Sequence, residues 1–179
     1  MDRATDLLLR AADGDNASLA AFIRETQADV WRFCAYLVDR ESADDLTQET
    51  YLRAHRAMER FRGDASAKVW LLSIARRVCA DEIRRRRRER TRQDRTAGPV
   101  MPDQSGMVDL SSLLETLEPD RRSALILTQV IGLSYAEAAE VMQVRVGTVR
   151  SRVARARREL IIRLGLLDER KADGHNRTA

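Results

Sequence analysis

Apolar residues recur at three- and four-residue intervals along most of the 179-residue chain, and no stretch alternates apolar and polar positions long enough to predict a strand. The spacing predicts a short helix over 5–12 (Asp6 to Ala12), stopped at Asp13-Gly14-Asp15. A longer helix follows over 18–38, with Leu19, Phe22, Ile23, Val30, Phe33, Cys34 and Leu37 on its core face. Ser42 and Asp45 have the spacing of a capping box, with Asp in the place of Glu, and open a helix over 43–60. Phe61-Arg62-Gly63-Asp64 forms a turn. The next helix, over 66–92, buries Trp70, Leu71, Ile74, Val78 and Cys79 and directs Arg76, Arg77, Ala80 and Arg84 the other way.

The pattern stops at 93–108, where Gly98-Pro99, Pro102-Asp103 and Ser105-Gly106 are linker signals with little apolar content. Extended at roughly 3.3 Å per residue, such a segment spans on the order of 50 Å. Helical spacing resumes over 109–117, and again from Pro119 to a stop at Gly132. Residues 132–160 then read as a helix, a tight turn and a second helix. Ser134 caps the first, Glu137 completes a capping box, and Ala138, Ala139 and Met142 supply its apolar stripe. Gln143–Val146 breaks the stripe and Gly147-Thr148 restarts it. The expected fold is all-α: two small helical domains, 1–92 and 109–167, joined by a flexible linker at 93–108, the second a four-helix domain with a helix-turn-helix. Residues 168–179 are polar and are expected to form a disordered tail.

In a helix-turn-helix the second helix enters the major groove of DNA. Here Val149, Val153, Ala156 and Leu160 share one face, suited to packing on the first helix. Arg150, Ser151, Ala154, Arg155 and Arg158 fall on the opposite face, with Arg152 and Arg157 flanking it. An arginine donates two hydrogen bonds to guanine, a serine reaches base edges or phosphate, and an alanine meets a thymine methyl. A charge run is ordinarily a solvated face, but such a face mixes signs to gain ion pairs along the helix. Between Arg150 and Leu164 the only acid is Glu159. Thr148, Arg150, Ser151, Arg152, Ala154, Arg155 and Arg158 are therefore candidate duplex-DNA contacts.

Composition narrows the remaining choices. Hydrophobic residues at 44% allow a buried core, while 32 basic against 28 acidic residues leave a net charge of only +4. Only Lys68 and Lys171 are lysines, so part of the arginine enrichment is the background of an Ala- and Arg-rich chain. No apolar run is long enough to cross a bilayer, and Asp2, Arg3 and Asp6 interrupt any N-terminal signal pattern, so a cytoplasmic location without membrane insertion is expected. Cys34 and Cys79 read as small buried hydrophobes, with a redox pair as the alternative. Two cysteines and two histidines (His55 and His175) are scattered, so neither a metal site nor a cofactor is expected. With no phosphate loop and no nucleophile–histidine pair, an enzyme is not expected either.

Four segments in this order resemble those of bacterial extracytoplasmic-function (ECF) sigma factors. They are Asp44-Asp45-Leu46-Thr47-Gln48-Glu49-Thr50-Tyr51; Phe61-Arg62-Gly63-Asp64 leading to Trp70-Leu71-Leu72-Ser73-Ile74-Ala75-Arg76; Leu117-Glu118-Pro119-Asp120-Arg121-Arg122; and Gly132–Glu137 with Val146–Arg152. The resemblance covers essentially the whole chain. It implies a factor that binds core RNA polymerase and directs it to promoters. The N-terminal domain would read and melt the −10 element as single strand, and the C-terminal domain would read the −35 element as duplex. A dedicated anti-sigma factor is a further partner left open.

The resemblance also implies roles by position. Asp44, Asp45, Gln48 and Glu49, at helical spacing, would dock on polymerase, with Leu46 and Tyr51 serving the core. Phe61, Arg62, Gly63 and Asp64 match the loop that holds a flipped −10 base, beside Arg77 and Arg84 on the following helix. Arg77 departs from the asparagine frequent at that position; a guanidinium only donates, so the base preference there is expected to differ. Trp70, aligned with Leu71 and Ile74, is expected in the core rather than on DNA. The run Arg84–Arg88, continued by Arg90, Arg92 and Arg95, is expected to meet phosphates. Two rivals remain. A helix-turn-helix repressor would bind a palindrome as a dimer, but nothing here resembles a receiver domain of alternating strands and helices. A helical adaptor would have no use for a one-signed helix.

Overall fold

The computed structural model describes residues 2–93 and 110–175, and among them the chain is built of eight helices and no strands. The expected linker lies outside the described residues apart from Gln93, which closes the fourth helix. The first helix, α1 (Arg3–Ala12), starts earlier than its apolar pattern because Asp2 caps it. The Asp2 carboxylate accepts from the Thr5 amide at 3.0 Å and the Thr5 hydroxyl at 2.7 Å. Asp15 does the same for α2 (Asn16–Leu37), accepting from the Ala17 amide and the Ser18 hydroxyl.

The capping box expected at Ser42 does not form. Helix α3 (Ala43–Ala57) starts without a side-chain cap bond from Ser42, whose amide donates to Asp39 at 2.8 Å and whose hydroxyl accepts from Arg86 of a later helix. A tertiary partner has displaced the local rule. A 3₁₀ turn over Met58–Arg60 leads into the Phe61–Ser66 loop and then α4 (Ala67–Gln93). The Thr5 hydroxyl, already bonded to Asp2, accepts from the first amide of α4 at 2.9 Å, so α1 fixes where α4 begins.

The second group comprises α5 (Leu110–Glu115), α6 (Pro119–Leu125), α7 (Tyr135–Met142) and α8 (Val146–His175). Glu118 caps α6 by accepting from the Asp120 and Arg121 amides. A π-helical stretch, Ile126–Val130, extends α6, and the chain leaves it at Gly132, whose φ of +80° is a left-handed conformation that glycine adopts at little cost. The sequence expects a frayed tail from residue 168, but the backbone remains helical to His175. Leu166, Leu167, Glu169, Arg170, Lys171 and Ala172 are all good helix formers, which explains the continuation.

The two groups do not stand apart at the ends of a tether. α7 lies along α4, while α5, α6 and the π-helical stretch lie against α2. Buried Phe33, Leu37, Leu71 and Ala75 of the first group belong to one hydrophobic cluster with Leu114, Ile126, Leu127 and Ala138 of the second. Joining two small cores removes apolar surface that each would otherwise expose.

Candidate nucleic-acid interface

Helix α8 is aimed by the caps of α7 before it and by its own buried face. Ser134 and Glu137 complete their capping box, with the Ser134 amide donating to Glu137 at 2.8 Å and the Glu137 amide donating to Ser134 at 3.2 Å. The Ser134 hydroxyl and amide hold the Glu137 carboxyl below its ordinary range. Gln143 then takes a left-handed conformation (φ 56°) that turns the chain from α7 into α8. Val149, Val153 and Ala156 are fully buried. That leaves Arg150, Ser151, Ala154, Arg155 and Arg158 exposed on the other face, with Thr148 half-buried at its edge.

Charge pairing on α8 is uneven. Arg150, Arg155 and Arg158 have no ion-pair partner among the described residues. Arg157 donates to Gln129 of the π-helical stretch, and Glu159 pairs with Arg121 of α6. The helix's one central acid is thus consumed by a neighbour, and the outer face carries positive charge alone. Arg152, placed by its spacing beside that face, is half-buried and donates to Asp120 at 2.5 Å.

On the first group, Phe61 is buried rather than presented to solvent, its ring 5.2 Å from that of half-buried Trp70. It forms the inner wall of a loop whose Arg62 and Asp64 are exposed. Gly63 turns this loop with a φ of +77°, its Cα side facing Leu9 of α1. Arg77 is exposed without an ion-pair partner among the described residues, whereas Arg84 pairs with Asp81. Arg76 donates across the domain boundary to the same Asp120, at 2.9 Å. The arginine run is partly neutralised from within: Arg85 pairs with Glu82 and Glu89, and Arg86 with Glu82 and Asp39. Arg87, Arg88 and Arg90 remain exposed.

The acidic face of α3 is also graded. Asp44, Asp45 and Gln48 are exposed, with Asp44 accepting from the Trp31 indole at 2.8 Å. Glu49 is half-buried and holds Arg53 at 2.7 Å, and Arg53 reaches on to Asp81 at 2.9 Å. Leu46 is buried. The Tyr51 hydroxyl is 2.7 Å from that of Thr26, and burial pushes its pKa up to about 12. Beside Gln48, an apolar groove of about 330 Å³ runs between Leu8, Leu19, Ile23, Leu52 and Met58. Sequence spacing gave no sign of this groove, on whose wall Leu52 is 47% exposed.

Two long-range contacts were invisible to spacing. Cys34 and Cys79 are both buried and their sulfurs lie 3.6 Å apart. The hydrogen bond to Cys34, together with burial, pushes the Cys79 thiol well up. Arg122 is buried at the domain boundary, donating to the Leu37 carbonyl at the end of α2 and to those of Glu115 and Leu117. Burial lowers its pKa from the ordinary guanidinium value. No cluster able to hold a metal ion, and no helix long and apolar enough to cross a membrane, occurs among the described residues.

Comparison with known proteins places both groups. Residues 22–89 match the Sigma-70 region 2 family and residues 107–160 match Sigma-70 region 4. The chain is 51% identical over 164 residues to the ECF RNA polymerase sigma factor SigC of Mycobacterium tuberculosis, covering 88% of this chain and 89% of that protein. It is 36% identical to the ECF RNA polymerase sigma factor EcfG of Rhodopseudomonas palustris, over 67% of this chain and 70% of that one. Among solved structures it resembles CnrH in complex with the cytosolic domain of CnrY (TM-score 0.75, 25% identity, 92% of this chain and 99% of that chain). It also resembles the sigma factor RpoE in complex with the anti-sigma factor NepR from Bartonella quintana (TM-score 0.67, 30% identity, 79% and 93%).

Proposed function

The chain belongs to the ECF sigma factors of bacterial RNA polymerase, and we propose that it reads its promoters with the exposed face of α8 and with the Phe61–Asp64 loop beside α4. It directs promoter-specific transcription initiation with RNA polymerase and is not an enzyme. Its partners are core polymerase and promoter DNA. Residues 109–167 read the −35 duplex through Thr148, Arg150, Ser151, Ala154, Arg155 and Arg158, with Arg152 joining them once released from Asp120. Residues 1–92 read and melt the −10 element through Arg62, Gly63, Asp64, Arg77 and Arg84, with Phe61 shaping the pocket from behind. Asp44, Asp45, Gln48 and Glu49 dock on polymerase. The protein acts in the cytoplasm, and an anti-sigma factor is a partner, as for the RpoE bound to NepR.

The observation that carries this reading is the outer face of α8. Three exposed arginines, none ion-paired among the described residues, flank a small residue, while the one nearby acid is taken by Arg121. A face built this way has its charge in hand for an anionic groove. The test is run-off transcription with purified core polymerase on a genomic fragment library, followed by sequencing of the starts. Defined starts sharing a −35 and a −10 element are expected for the wild type, and loss of the −35 preference for Arg150→Ala with Arg155→Ala. Starts that do not depend on the added chain, or an unchanged −35 profile in the folded double variant, would overturn it.

A further inference from the structure

Asp120 sits where the two promoter-reading domains meet, and its carboxylate is divided between them. One oxygen accepts from Arg76 of α4 at 2.9 Å and the other from Arg152 of α8 at 2.5 Å. We infer that Asp120 stands in for a promoter phosphate: in the free chain it holds one arginine of each reading domain, and DNA binding exchanges this carboxylate for phosphate. The inference rests on the proposed placement of the two DNA-reading faces on α4 and α8.

Three observations support the exchange. The first is chemical. Guanidinium groups recognise paired anionic oxygens, and a carboxylate and a phosphate offer the same kind of acceptor. Two arginines around one carboxylate leave a local excess of one positive charge, which favours an approaching phosphate backbone. The second is an unsatisfied donor. Nη1 of Arg152 is buried without a hydrogen-bond partner, so the closed arrangement leaves unused a bond that phosphate would accept.

The third observation is the second strut across the same boundary. Arg122 ties α6 to the last residue of α2, donating to the Leu37 carbonyl at 2.9 Å and otherwise only to the Glu115 and Leu117 carbonyls, and its Nε is also buried without a partner. Carbonyls at a helix C-terminus stabilise a cation less than a carboxylate does. The boundary is therefore specific in its contacts and incompletely satisfied in its polar groups, as a contact that must be exchanged requires. The competing explanation is ordinary: an acid in the first turn of α6 favours that helix through its dipole. Glu118, the cap of the same helix, provides the control, since its carboxylate accepts from the Asp120 and Arg121 amides of α6 itself.

The experiment uses the full chain with two readouts: small-angle scattering for domain separation, and fluorescence anisotropy with a short labelled duplex of random sequence for binding. Asp120→Asn is expected to raise the radius of gyration and to tighten duplex binding by several-fold to roughly tenfold, because apparent affinity scales with the fraction of open chain. Glu118→Gln removes the same charge from the same helix and is expected to leave both unchanged. The proposal is overturned if folded Asp120→Asn scatters and binds as the wild type does, if it opens without binding more tightly, or if Glu118→Gln tightens binding equally. Run-off transcription by the wild type reports separately on the function. A chain that opens on Asp120→Asn yet supports no promoter-specific starts retains the latch and loses the sigma-factor assignment of its faces.

Discussion

Helices α4 and α8 are both rich in arginine, and they dispose of it in opposite ways. On α4 the acids lie three or four residues before the arginines: Asp81 precedes Arg84, and Glu82 precedes Arg85 and Arg86. These pairs brace the helix from within, and Asp39 adds a partner from the end of α2. On α8 the only central acid is drawn away by Arg121, and Arg150, Arg155 and Arg158 stand exposed. The lesson is that an arginine count does not measure charge available to DNA. The positions of the acids do. α8 keeps the arginines of its outer face open, whereas the arginine run of α4 is first a stiffened rod, with Arg77, Arg87, Arg88 and Arg90 exposed and without an ion-pair partner among the described residues.

The contrast is tested hardest at Phe61, which sits behind the α4 loop as a buried ring against Trp70. Phe61→Ala is expected to cost about 3 kcal/mol of stability through the cavity it leaves. Ser151→Ala, on the open face of α8, is expected to cost almost nothing. Urea denaturation of both variants checks this. An unchanged midpoint for Phe61→Ala would mean that the ring is not a structural wall and would return it to direct contact with the −10 strand.

Next in size is Arg155→Ala. If it loses a bidentate base contact, −35 affinity falls by about 1–3 kcal/mol and selectivity relaxes at one base pair, with no change in stability. Competition between wild-type and randomised −35 duplexes on the polymerase-bound factor measures both. A uniform loss across all sequences would reduce Arg155 to a phosphate contact. The acidic face of α3 carries the same distinction between free and engaged charge. Asp45→Lys is expected to weaken core polymerase binding by on the order of 1 kcal/mol. Glu49→Lys should show a different signature, because Glu49 already holds Arg53 and its loss also strands that cation: thermal stability falls together with binding. Equal binding losses with equal stability would make the two acids equivalent.

Much of this was legible in the sequence because helices announce themselves through a local period. The buried face of α8 followed from Val149, Val153 and Ala156, and the capping box at Ser134 followed from a single serine and a glutamate. Where the same local rule failed, at Ser42, the cause was Arg86, 44 residues along the chain. The exposed face of α8 was likewise legible except at Arg152. Its spacing placed it among the DNA contacts, while its partner Asp120 lies 32 residues away on another helix. Periodicity sets the direction of a side chain and says nothing about what waits there. The packing of the two domains was hidden for the same reason: a linker of Gly, Pro and Ser signals separation, and only the buried Leu37, Leu127 and Ala138 reveal that the separated pieces share a core.

The smallest expected effect is the sharpest test of the α4 and α8 contrast, because it compares neighbours within one run. Arg85 and Arg87 are two residues apart and both exposed, yet Arg85 holds Glu82 and Glu89 while Arg87 has no ion-pair partner among the described residues. Each phosphate neutralised releases counterions and steepens the dependence of binding on salt. Arg87→Ala is therefore expected to reduce the slope of log K against log salt by about one, at a cost below about 1 kcal/mol at moderate salt. Arg85→Ala removes a cation already matched by two carboxylates, and freeing those acids beside the strand offsets any change in geometry. Its slope should stay near wild type, while helix α4 loses a little stability from the broken pairs. Titrations of the polymerase-bound factor on one promoter at several salt concentrations give both slopes. Equal slopes for the two variants would show that internal pairing on α4 does not withhold arginines from DNA, and the distinction between the two helices would then reduce to their positions alone.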